Sequence, residues 1–251
     1  MSTAVTAGSA VAMAGIVFAS ALLQRAVGFG FALLAVPLLA FVVPTKSAVV
    51  IVFLNGTLTC AWLTLRLRRQ AEWSVVRGLA VGVVIGAPFG VVVLRFVSAE
   101  VLRLVLGVTI VTAAVWIIVQ ARTGGAQAAA SFRRTAIVTG IISGVLNTSF
   151  ATNGPPLVYE LRRRGLSDDR FRATISSVFL VSNIIGLPLL VAAGLVTVTD
   201  VEYAALSVLP CVLGIAAGAR VGRRMATEHF VVAVDTLLLA TGVLTVVRAV
   251  T

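Results

Sequence analysis

The residues best suited to chemistry lie in two interruptions of otherwise apolar sequence. The first reads Gln24-Arg25-Ala26-Val27-Gly28-Phe29-Gly30 and continues through a short apolar run to Pro37. The second reads Asn147-Thr148-Ser149-Phe150-Ala151-Thr152-Asn153-Gly154-Pro155-Pro156. A helix that restarts after a Gly/Pro break has N–H groups without intrahelical acceptors, and it turns the positive end of its dipole toward the gap. Two such ends, one from each break, make a natural pocket for an anion. Around Gly28, Phe29, Gly30, Gly154 and Pro155, the side chains of Gln24, Ser149, Thr152 and Asn153 are placed to add neutral hydrogen bonds. The plainer reading is that Gly and Pro only let helices pack closely or kink. Paired breaks with polar flanks favour the site.

Four further polar positions bear on the chemistry. Asn55 and Asn183 sit inside apolar runs, where they either line a cavity or bond helix to helix. Arg25 is the cation closest to the first break; it either meets an anion or extends its charge to the cytoplasmic surface. Asp235 lies well inside an apolar run, which makes it the proton-coupling candidate, with pairing to Arg220 or Arg224 as the simpler role. Cys60 and Cys211 also lie in apolar runs and read as small core residues rather than a disulfide.

Several chemistries are excluded by residue type. No HExxH, Cys/His cluster or paired carboxylates are present to hold a metal, no cofactor fingerprint appears, and Gly28-Phe29-Gly30 lacks the third glycine of a dinucleotide site. The chain is therefore expected not to be an enzyme. The stretch Val27–Gly30 looks like a potassium-channel filter, but Arg25 beside it would repel cations.

The elements that must position these residues are membrane helices. The chain is 59% hydrophobic and 12% charged, with mean hydropathy +1.09, whereas a soluble domain carries about 25% charged residues. Apolar runs long enough for a bilayer core of about 30 Å recur along it, and helix is the default because every backbone group must be satisfied without water. Ten membrane-embedded segments are expected, at 8–24, 28–43, 46–65, 73–95, 99–120, 135–150, 153–162, 171–193, 201–220 and 228–249. Pro88, Pro188 and Pro210 should kink the spans that contain them. Segment 153–162 is half the length a span needs, so the first two segments of each half form a candidate re-entrant hairpin. The expected fold is an all-α polytopic bundle of about 8–10 embedded segments with re-entrant or broken helices.

A net charge of +11, with 19 of 20 basic residues being Arg, fits cytoplasmic loops rather than nucleic-acid binding. With the N-terminus outside, sixteen basic residues fall inside and four (Lys46, Arg95, Arg103 and Arg248) fall outside. The halves, 1–120 and 135–251 about a cytoplasmic linker at 121–134, align at an offset of 128 that matches Asn55 with Asn183, Gly86 with Gly214, Gly90 with Gly218, Arg95 with Arg223 and Glu100 with Glu228. An odd number of crossings per half makes these inverted repeats, a layout of secondary transporters.

At these residues the chain resembles the sulfite exporter TauE/SafE family of bacterial transporters. Its first motif looks like Gly28-Phe29-Gly30-Phe31-Ala32-Leu33-Leu34-Ala35-Val36-Pro37-Leu38-Leu39, and its second like Asn153-Gly154-Pro155-Pro156-Leu157-Val158-Tyr159. Arg172-Ala173-Thr174 is a further similarity. Where the family often carries three consecutive glycines, Phe29, Phe31 and Pro156 intervene here, which puts pocket shape and substrate in doubt. The resemblance implies a multi-pass inner-membrane permease for small anions such as sulfite, sulfonates or carboxylates. A proton or sodium is the candidate coupling ion and a homo-oligomer a candidate assembly. The rival readings are a passive anion channel and a non-transporting membrane enzyme or assembly factor.

Overall fold

The computed structural model describes residues 7–102, 104–105, 107–109, 111–112 and 132–224, and every element among them is helical. The expected span at 228–249, Asp235 and most of the 121–134 linker lie outside the described residues.

Helix α1 (Ala7–Val27) is apolar until Gln24 and stops where Gly28 takes a positive φ of 98°. A second left-handed glycine, Gly30 at φ 104°, starts α2 (Phe31–Leu39). After a five-residue turn closed by Pro44, α3 (Thr45–Leu67) and then α4 (Trp73–Phe96) follow. The second half opens with α5 (Phe132–Phe150), breaks at residues 151–153, and restarts as α6 (Gly154–Arg162). Then come α7 (Asp168–Ala192), α8 (Val198–Leu206) and α9 (Val208–Arg224).

Four helices, α1, α3, α4 and α7, are long and apolar enough to cross a membrane, and α8 with α9 makes a fifth candidate bent by 42°. The chain is a polytopic helical membrane protein. Helix α4 shows why: Val81, Val84, Ile85, Phe89 and Val92 are exposed along one stripe, while Leu79, Gly82, Val83, Gly86 and Gly90 are buried on the other. A helix apolar on both faces suits lipid on one side and protein on the other.

Segment 28–43, expected as an embedded segment and as part of a candidate re-entrant hairpin, holds a helix of only nine residues, as 153–162 does in α6; each is about 14 Å long, half a bilayer core. Pro88 and Pro188 sit within single assigned helices. The bend near Pro210 comes before it, between Leu206 and Val208, because the proline ring excludes the Leu206 carbonyl four residues back.

Small residues set the closest packing. A Cβ on Gly82, Gly86 or Gly90 would collide with the carbonyls of Ile137, Ile141 and Val145, so α4 lies directly against the α5 backbone. Gly214 and Gly218 on α9 do the same against the carbonyls of Phe18 and Leu22 on α1. Helix α4 of the first half thus packs on the opening helix of the second, and α9 of the second half packs on the opening helix of the first. Spacing small residues four apart lets membrane helices approach this closely.

These contacts fix the internal correspondence, and it differs from the single offset of 128. Gly86 meets Ile141 as Gly214 meets Phe18, and Gly90 meets Val145 as Gly218 meets Leu22. Helices α4 and α9 therefore match at 128, but α1 and α5 match at 123. The offset of 123 also pairs the start of α2 with that of α6 and the start of α3 with that of α7. It pairs Gly28 with Ala151, the first positive-φ residue of each break. Helix α7 is two residues longer than α3, and the α8–α9 bend absorbs the rest.

Residues assigned to one side of the membrane also meet. Lys46 Nζ donates to the Arg95 carbonyl at 2.9 Å on the sparsely basic side. On the Arg-rich side Arg170 pairs with Glu72 at 2.8 Å, and the Glu72 N–H donates to Thr174 Oγ1.

Candidate functional site

The two breaks open onto one cavity. It is lined from α1 by Gln24, from the first break and α2 by Gly30, Phe31, Ala32 and Leu33, and from α3 by Val52, Phe53, Gly56 and Cys60. The second half contributes Asn147, Ala151, Thr152, Asn153, Gly154, Phe179 and Asn183. The cavity volume is about 40 Å³, room for roughly three waters. None of the lining residues carries a charge. Any anion held here would be held by dipoles and neutral donors.

Each half supplies a helix start and a polar pair. In the first half Gln24 Nε2 donates to Cys60 Sγ at 3.2 Å. In the second, Asn147 Nδ2 donates to Asn183 Oδ1 at 3.0 Å. Both pairs bridge a first helix to a third helix across 36 residues, and the offset of 123 maps one onto the other. The repeat partner of Asn183 is therefore Cys60.

The two helix starts differ in donors. Helix α2 begins with Phe31, Ala32 and Leu33, whose N–H groups have no acceptor within the helix. Helix α6 begins Gly154-Pro155-Pro156, and the prolines remove two of the three donors. Asn153 precedes α6 where Gly30 precedes α2. Its side chain makes no capping bond, and its Nδ2 is buried without a partner while the residue lines the cavity. An unsatisfied buried amide N–H costs about 1–3 kcal/mol, which marks it as a donor awaiting an acceptor. The break itself is braced by Ser143 Oγ donating to the Asn153 carbonyl at 3.2 Å, and by Thr152 Oγ1 donating to the Phe150 carbonyl at 2.9 Å.

Of the residues singled out by sequence, Gln24, Gly30, Thr152, Asn153, Gly154 and Asn183 meet at the cavity. Arg25, Gly28, Phe29, Asn55, Ser149 and Pro155 do not line it. Arg25 is half-buried and packs its Cβ near Gly218, the place that Thr148 takes beside Gly90 in the other half. Gly28 provides the turn, with the Arg172 stem lying over it. The Phe29 ring lies beside Gly154, and Pro155 sits in the first turn of α6. Ser149 Oγ donates to the Val145 carbonyl of its own helix at 2.6 Å. Asn55 Nδ2 donates to the Ile51 carbonyl on its own helix, leaving its Oδ1 buried without a partner away from the cavity. Asp235 falls outside the described residues. Sequence reasoning passed over Cys60 and the aromatic wall of Phe31, Phe53 and Phe179. The repeat at an offset of 123 was the signal that could have found Cys60.

The family described as "Sulfite exporter TauE/SafE" matches residues 12–245. The chain belongs to the sulfite exporter TauE/SafE family. Both breaks, and with them the whole cavity, fall inside the matched residues. A protein of Cupriavidus necator named "Probable sulfite/organosulfonate exporter TauE" is 28% identical over 167 residues, which is 64% of this chain. The match spans 63% of that relative's length, less than two thirds. No solved structure matches this TauE/SafE chain.

Proposed function

We propose that this TauE/SafE protein is a secondary transporter that moves a small oxyanion across the cell's inner membrane, and that the anion binds in the cavity between the two breaks. The observation that carries the reading is one uncharged cavity onto which two helix N-termini open, with the unpartnered Asn153 amide lining it. An anion there would accept from the N–H groups opening α2, from Gly154 and from Asn153 Nδ2, and so satisfy donors that are otherwise stranded. The relative's name makes sulfite or an organosulfonate the first substrates to test, and export the direction. Recognition without an ion pair suits a carrier, because the anion must also be released. Alternating access would follow from the halves rocking about the close α4–α5 and α9–α1 contacts, as related repeats do in other carriers.

The test is counterflow in proteoliposomes. Purified protein loaded with unlabelled sulfite or methanesulfonate should accumulate the labelled anion transiently and with saturation. Fast, unsaturable flux would replace the carrier with a channel. No flux of sulfite, sulfonates or carboxylates in either direction would overturn transport altogether.

A further inference from the structure

The repeat relation makes one lining residue stand out. Three of the four members of the two polar pairs are carboxamides: Gln24, Asn147 and Asn183. The fourth is the Cys60 thiol, at the place Asn183 holds in the other half. Cys60 is 3% exposed, is not in a disulfide and lines the cavity. Gln24 Nε2 donates to its sulfur, so the S–H is the group left to donate elsewhere. The unpartnered Asn153 amide lines the same cavity and independently marks it as a ligand site.

We propose that Cys60 contacts the bound anion and sets which anion is held. This rests on the cavity being the anion site and goes beyond it by naming the residue that discriminates. A thiol is a weak donor and a polarisable surface. It favours an alkyl or sulfur face of the ligand over a bare oxygen, whereas a carboxamide or hydroxyl at the same point favours oxygen. The Gln24–Cys60 end, backed by Phe31 and Phe53, would then take the apolar part of a sulfonate. The Asn147–Asn183 end with Asn153 would take its oxygens.

The test compares affinities for sulfite and methanesulfonate at one pH by titration calorimetry on the full-length protein and on Cys60→Ser and Cys60→Asn. Both variants should move the affinity ratio toward sulfite by about fivefold, the size of one exchanged hydrogen bond. A second measurement does not depend on those variants folding. In a Cys211→Ala background, where Cys60 carries the single thiol of the chain, its infrared S–H stretching band should shift when saturating methanesulfonate binds. An unchanged ratio, or an S–H band indifferent to bound methanesulfonate, would each overturn the role of Cys60. If methanesulfonate binds and binding depends on Asn153, such a result sinks only the Cys60 inference. If no anion binds at all, the cavity reading falls with it.

Discussion

Asn153→Ala separates a binding residue from a structural one by the sign of its effect on stability. In the resting protein Asn153 Nδ2 is buried with no acceptor, and the side chain does not cap α6. Deleting it removes a desolvation cost of about 1–3 kcal/mol, and the capping loss of about 1 kcal/mol usual for Asn does not apply in full. The space left joins an existing cavity rather than making a sealed void. The melting temperature without ligand should therefore stay level or rise by about 2–4 °C per kcal/mol gained. Anion affinity should move the other way. A hydrogen bond to a charged group contributes about 1.5–3 kcal/mol, so the dissociation constant should rise by about 10- to 150-fold. Scanning fluorimetry with and without sulfite or methanesulfonate reads both effects, since a ligand at 100 times its dissociation constant adds about 2.7 kcal/mol of stability. The near-isosteric Asn153→Asp should abolish binding by placing a negative charge at the site. A lower melting temperature with unchanged affinity would make Asn153 a structural cap and refute its role as a donor.

Other expectations follow from the same geometry. Gly86→Val and Gly214→Val should both destabilise by at least about 2–3 kcal/mol, since each drives a side chain into a facing carbonyl; thermal melts in detergent check both, and a cost at only one would break the paired packing. Gly28→Ala should cost about 1–2 kcal/mol because of its positive φ. Gly154→Ala should leave stability within about 0.5 kcal/mol yet weaken anion binding, because its Cβ would meet only Phe29 at an ordinary 3.7 Å while narrowing the cavity. Thr148→Val removes the bond from Thr148 Oγ1 to the Ala87 carbonyl, 2.7 Å long and bridging α5 to α4, and should lower stability by about 1 kcal/mol without changing affinity. Arg170→Ala breaks an exposed ion pair with Glu72 and should change stability by less than about 1 kcal/mol in a melt at moderate salt.

Composition and helix-breaking chemistry made the fold class and both breaks legible before any coordinates. The positive φ of Gly28 and Gly30, and the Gly-Pro-Pro start of α6, act through local backbone rules that a sequence displays directly. The pairing of the halves was less legible because one offset cannot follow a repeat with insertions. Matching at 128 caught Gly86 with Gly214, but it drew Asn55 to Asn183 by residue type alone. Asn55 turns to its own helix, and Cys60 fills the equivalent place. That exchange is hidden in sequence, since Cys in an apolar run has no polar signature. Arg25 was legible only as a cation near a break; the structure places its Cβ against Gly218 of α9 and leaves it out of the cavity lining.

The most direct measurement is to locate the anion itself. Selenite, the heavier analogue of sulfite, can be bound to the purified protein and its selenium found by anomalous scattering in crystals grown without selenomethionine. The expected result is a single strong peak between the N–H groups of Phe31–Leu33 and the Asn153 amide, lost in Asn153→Asp. A peak elsewhere in the bundle, or none at concentrations that saturate transport, would contradict an anion site between the two breaks.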